Sequence, residues 1–136
     1  MMAKINSFEE LEVWKKAVEL CELVYGQTNN TSLNKDFALR DQLRKSAISI
    51  PSNISEGFER ESNNQFIYFL IIAKGSCGEL RTQLYLTNRI GYIDEKTHAL
   101  LKEKCVVVSK QLSNFIKYLK SIQKKSSKPS TFKTLN

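Results

Sequence analysis

Asn53, Glu56 and Arg60 lie three and four residues apart, and Glu79 and Gln83 repeat the four-residue interval. If both stretches are helical, each set shares one helix edge. Polar side chains at this spacing have two uses. They can fix helix register through mutual hydrogen bonds, the Glu56–Arg60 pair contributing about 0.2–0.5 kcal/mol if exposed. Alternatively, they can supply a carboxylate pair for acid–base chemistry. The structural use is favoured, because the remaining inventory offers catalysis little. The single histidine, His98, and the cysteines Cys21, Cys77 and Cys105 are far apart in sequence. No CxxC or HxxxH spacing suggests zinc. The glycines at 26, 57, 75, 78 and 91 form no phosphate-cradling loop. The expectation is therefore no catalytic residue, no metal and no cofactor: not an enzyme.

Cations are the second chemically active group. The chain has 21 Lys+Arg against 14 Asp+Glu, a net charge of +7. Residues 1–116 hold fifteen of those bases and all fourteen acids, whereas residues 117–136 hold six Lys and no acid. On the body, Arg40, Arg44 and Lys45 form a short ridge that Asp36 and Asp41 partly cancel, with Arg60, Lys74, Arg81 and Arg89 elsewhere. Lys117, Lys120, Lys124, Lys125, Lys128 and Lys133 make the polybasic end. Basic helix surfaces track phosphates with little sequence preference. The expected nucleic-acid-binding set is Arg40, Arg44, Lys45, Arg60, Arg81, Lys120, Lys124, Lys125 and Lys128. A solvated face and a solubilising tail are the competing readings.

Helices must position these residues. Ser7-Phe8-Glu9-Glu10 reads as a capping box opening a first helix over about 7–27, with Leu11, Trp14, Val18, Cys21 and Tyr25 as its apolar stripe and Gly26 as its stop. Gln27 to Asn34 reads as a polar loop. A second helix, about 36–58, carries Phe37, Leu39, Leu43, Ala47, Ile50, Ile54 and Phe58. Pro51 falls inside it, so the expectation is a kink, with a break at Ile50-Pro51 as the alternative. Ser62 caps a third helix, about 62–90, with Phe66, Leu70, Ala73, Cys77, Leu80 and Leu84 facing inward and Gly91 ending it. Asp94 caps a fourth, about 94–124, through Leu100, Leu101, Val107, Leu112, Phe115, Ile116 and Leu119. The predicted fold is all-α: an antiparallel up-down-up-down four-helix bundle over residues 1–125, followed by a disordered Lys/Ser-rich tail, 126–136.

Phe66-Ile67-Tyr68-Phe69-Leu70-Ile71-Ile72-Ala73 is apolar on every helical face. A bundle helix needs one apolar stripe roughly 100° wide. The surplus fits an unusually buried helix, a strand, or, the reading preferred here, a homo-oligomer interface made by Phe66, Ile67, Tyr68, Phe69, Ile71 and Ile72. At eight residues the run is too short to span a bilayer, and the first six residues are too short and polar for an export signal. A cytoplasmic protein with reduced thiols and no membrane role is expected.

The stretch from Leu43 to Phe58 (LRKSAISIPSNISEGF) is distinctive. With Phe69–Ser76, Glu79–Leu84, the opening Phe8–Trp14 and Gly91-Tyr92, it resembles the four-helix-bundle proteins encoded in intervening sequences of bacterial 23S rRNA genes. The resemblance spans about residues 6–120. The motif residues are Pro51, Asn53, Glu56, Gly57, Glu79 and Gln83. This sequence departs from the family pattern at Ser55, Cys77, Gly78 and Arg81. The family in turn resembles the accessory protein of diversity-generating retroelements. That likeness implies a ring of bundles, a homopentamer, binding RNA or DNA without catalysis and working with a reverse-transcriptase-type protein. The alternative is a structural scaffold for a protein partner, with the charge incidental.

Overall fold

The computed structural model describes residues 5–30 and 32–125. The segment 126–136, expected to be a disordered tail, lies outside the described residues. Four helices form: α1 (Glu12–Asn30), α2 (Phe37–Phe58), α3 (Asn63–Ile90) and α4 (Glu95–Lys125). Each packs on its neighbours in a closed ring: α1 on α2 and α4, and α3 on α2 and α4. Short connections make successive helices antiparallel, which gives the expected all-α four-helix bundle.

Local chemistry sets most of the boundaries. The Asp36 carboxylate accepts from the Leu39 N–H at the start of α2, Ser62 Oγ from Gln65 N–H at α3, and Asp94 from Thr97 N–H at α4. The Thr97 bond holds the Asp94 carboxyl below its ordinary value. Gly91, at φ +100°, closes α3 in the left-handed conformation, and Tyr92 N–H returns to the Thr87 carbonyl.

The first helix departs from expectation at both ends. Glu10 does reach back, accepting from Asn6 and Ser7 N–H at 2.7 and 2.9 Å, but it closes only a 3₁₀ turn over Phe8–Glu10. Leu11 is extended, and α1 starts at Glu12. Nor does Gly26 stop it: the helix continues to Asn30. A mid-helix glycine costs roughly 1 kcal/mol, and the extra turn in exchange buries Thr28. The polar loop is thereby reduced, and Leu33 within it is driven into the core. The inward stripe is Val13, Ala17, Leu20, Val24 and Thr28, one position off the predicted set. Trp14, Val18, Cys21 and Tyr25 sit half-buried on its margin.

Helix α2 runs unbroken through Pro51, which excludes the break. Leu43, Ala47, Ile50, Ile54 and Phe58 are buried as expected, but Phe37, in the first turn, faces solvent. On α3 all six predicted stripe residues are buried. On α4 the inward set is Leu101, Cys105, Val108, Leu112, Ile116 and Leu119, while Leu100 and Val107 are exposed. Two of these positions separate the predicted and observed stripes because adjacent apolar residues, 100/101 and 107/108, compete for one inward slot.

One pole of the bundle is tied by aromatic rings. Phe8 meets Trp14 and Phe58, Phe58 meets Phe66 edge-on at 5.9 Å, and Phe66 meets Phe115 at 5.2 Å. The other pole is tied by Tyr92 Oη donating to Asp36 at 2.9 Å, which raises the Tyr92 phenol above its ordinary value.

Candidate functional site

The distinctive stretch of α2 acts as packing chemistry. Ser49 Oγ and Ser76 Oγ are hydrogen-bonded at 2.8 Å, pinning α2 to α3. Asn53 donates to the Ser49 carbonyl and Oγ, within the turn that holds Pro51. Ser55 Oγ donates to the Pro51 carbonyl and accepts from Trp14 Nε1, pinning α2 to α1. At Gly57 a β-carbon would lie 2.8 Å from Phe69 Cβ and 2.9 Å from the Phe66 ring, so only glycine lets α3 approach here. Glu56 pairs with Arg60 at 3.0 Å on the surface, and Arg60 covers the Phe69 ring at 4.9 Å.

These contacts remove the carboxylate pair. With Ser49 opposite Ser76 and the helices antiparallel, Glu56 and Glu79 are offset by ten residues, about 15 Å along the axis. Among the described residues no hydrogen bond joins Asn53 or Glu56 to Glu79 or Gln83, and the buried Gln83 Oε1 has no partner. Nor do three His, Cys, Asp or Glu side chains gather as metal ligands among them. Cys77 and Cys105 are buried, which pushes both thiols up to about 12. The half-buried Cys21 is raised as well, by burial and then by Glu22.

The helix-two ridge is committed to internal contacts. Arg44 donates to Thr28 Oγ1 at 2.8 Å and Asn29 Oδ1 at 2.6 Å and lies over the Tyr25 ring. Arg40 pairs with Asp41, donates to the Asn34 carbonyl and covers Phe37. Both hold the α1–α2 connection in place, and only Lys45 of the ridge is fully exposed. Lys125 ends α4, and Lys128 lies outside the described residues.

A different basic surface emerges along the α3–α4 face. Lys102, Lys110, Lys117, Lys120 and Lys124 recur at helical intervals on α4, and all are exposed. Lys120 and Lys124 lie beside Asn64 and Ile67 of α3, where Gln123 bonds Asn64. Toward the other end, Lys102 shares a groove with Arg81. Lys74, seven residues before Arg81, adds to the same edge, and Arg89 lies over Tyr85 at 5.9 Å. The ion pairs among the described residues are Arg40–Asp41, Arg60–Glu56 and Lys104–Glu19, so none of these band residues is neutralised that way. Two exposed acids fall on the same helical spacing, Glu95 seven residues before Lys102 and Glu103 seven before Lys110. The α4 part of this band was readable from the Lys spacing; its union with Lys74, Arg81 and Arg89 required the packing of α3 on α4.

The apolar surplus on α3 divides in two. Phe66 and Ile67, expected at an interface, belong to the protomer's own core, because α3 turns them toward the bundle. Phe69 and Ile72 are half-buried, while Tyr68 and Ile71 remain 60% and 50% exposed. Gly75 continues this outward apolar patch by one turn, and the exposed Glu79, four residues on, ends it. Among the described residues no helix is long and apolar enough to cross a membrane.

No curated protein matches the chain. A crystal structure from Bacteroides thetaiotaomicron VPI-5482, described as a protein with unknown function from the S23 ribosomal protein family, is similar at 27% identity and a TM-score of 0.71. The match covers 77% of this chain and 98% of that one. The family model described as 23S rRNA-intervening sequence protein matches residues 9–114, from the first 3₁₀ turn to the middle of α4, and so includes every motif contact above. The chain belongs to the 23S rRNA-intervening sequence protein family.

Proposed function

We propose that this protein is a non-enzymatic, self-associating helical bundle that binds the phosphate backbone of RNA or DNA along its α3–α4 face. The observation that carries this reading is the band of exposed cations from Arg89 and Lys102 to Lys124, none of them in an ion pair among the described residues. Cations on a regular helix face neutralise phosphates without reading bases, so affinity falls with salt and depends little on sequence. The apolar patch of Tyr68 and Ile71 supports self-association: its area is left open in the single chain, and Gly75 lets another helix come close. Copies in a ring, five by the sequence likeness, repeat the band. A reverse-transcriptase-type partner enters this reading as a protein that shares the bound strand.

Binding of a labelled RNA and of single-stranded DNA between about 50 and 200 mM salt tests the first part, with affinity expected to drop at least tenfold. Salt-independent binding, or none at the lower salt, overturns it. Sedimentation tests the second: a 15.6 kDa species overturns self-association.

A further inference from the structure

Between α3 and α4, at the Arg89 end of the band, lies a groove of about 480 Å³, large enough for a small organic group. Tyr85 stands in it, 48% exposed, with the His98 ring edge-on at 6.2 Å and 80°. Arg81 and Lys102 flank these rings, and no carboxylate lines the groove. Gly78 leaves open space against α3, since a β-carbon there would meet nothing within 4 Å. The other arginine–aromatic pairs are tight, at 4.7–4.9 Å, and each of those arginines is also hydrogen-bonded elsewhere. Arg89 over Tyr85 is the loosest of the four, so among the arginine-paired rings Tyr85 is the least occupied by its own cation.

We propose that this groove takes an unpaired base of a single-stranded nucleic acid, stacked on Tyr85, with its flanking phosphates on Arg81 and Lys102. The assignment rests on reading the α3–α4 band as a nucleic-acid surface and adds to it a preference for single strands. The faces of duplex bases are already stacked on one another, so Tyr85 gains nothing from them. An unpaired base exposes a face that any aromatic ring can cover. An acidic peptide would satisfy Arg81 and Lys102 but would leave the rings without a partner.

The test uses the full chain with three probes: a thymidine oligonucleotide of about 20 residues, a duplex of equal length, and polyglutamate. Tyr85→Ala should weaken oligonucleotide binding about tenfold and leave duplex binding nearly unchanged, while Tyr85→Phe keeps both. Gly78→Leu fills the groove on an exposed helix position and should reproduce the Tyr85→Ala loss without removing an aromatic contact. Equal losses on both nucleic acids, or none, overturn the stacking site while the backbone reading stands. Polyglutamate competing as well as the oligonucleotide also overturns it, in favour of an acidic-peptide surface. If the unmodified protein binds neither nucleic acid, the backbone reading fails and the groove assignment falls with it.

Discussion

Gly57 and Phe69 approach so closely that a β-carbon on Gly57 would sit 2.8 Å from Phe69 Cβ. Both atoms are tied to helix backbones, so neither can swing away. Elsewhere on a helix, glycine to alanine gains up to about 1 kcal/mol. Here overpacking wins, and Gly57→Ala should cost about 1–3 kcal/mol. Urea unfolding reads the loss directly; a midpoint at or above that of the unmodified protein would contradict the close approach.

Ser55 should behave as a small, separable strut. Its hydroxyl accepts from Trp14 Nε1 at 3.0 Å and passes the connection to the Pro51 carbonyl. Ser55→Ala leaves the indole N–H without that partner and should cost about 1 kcal/mol. Trp14 is the sole tryptophan, so its fluorescence monitors unfolding and its own surroundings at once. An unchanged emission maximum together with an unchanged midpoint would show that the bond contributes nothing.

Charge substitutions should separate binding from folding. Reversing Lys102 and Lys110 together, to Glu, should weaken nucleic-acid binding and flatten its salt dependence by about 1.5 or more in log–log slope, with little change in stability. Arg44→Ala should do the opposite: it breaks the ties to Thr28 and Asn29 and lowers stability by about 1–2 kcal/mol while the salt slope stays put. If Arg44→Ala changes binding more than the double reversal does, the helix-two ridge is the interface after all.

The buried thiols give stability an alkaline edge. Cys77 and Cys105 move from an ordinary value of 9.0 to about 12, so the folded state holds protons that the unfolded state releases. Their contribution is fully present below pH 9 and is lost as pH rises toward 12. Thermal unfolding followed across that range should show a falling midpoint, and Cys77→Ala should make the fall shallower. Alkylation of the folded protein near pH 8 should label Cys21 first, the only one of the three thiols not fully buried. Rapid labelling of Cys105 would refute its burial.

Local rules exposed much of this architecture in the sequence. Ser62, Asp94 and Gly91 mark helix ends because caps act within one turn, and the α3 stripe stands out because Cys77 and Leu80 have only small or polar neighbours in sequence. Helix α1 was harder. Trp14, Val18 and Cys21 repeat as convincingly as Val13, Ala17 and Leu20, and only packing against α2 and α4 decides between two adjacent stripes. The fates of Arg40 and Arg44 were hidden for a related reason. Their partners, Asn34, Thr28 and Asn29, come within reach only once α1 runs past Gly26 and folds its last turn toward α2. The basic band was legible by halves, one helix at a time.

The alternating course of the four helices carries a further consequence. Glu12 at the start of α1 and Lys125 at the end of α4 share the aromatic pole, while the Tyr92–Asp36 bond closes the opposite one. In an assembly whose rotation axis ran along the helices, Glu12 and Lys124 of every copy would lie toward one face and every Tyr85 groove toward the other. A strand crossing the proposed surface would then meet stacking near one rim and the α4 lysines Lys120 and Lys124 near the other. Orientation along a nucleic acid would become a property of the assembly.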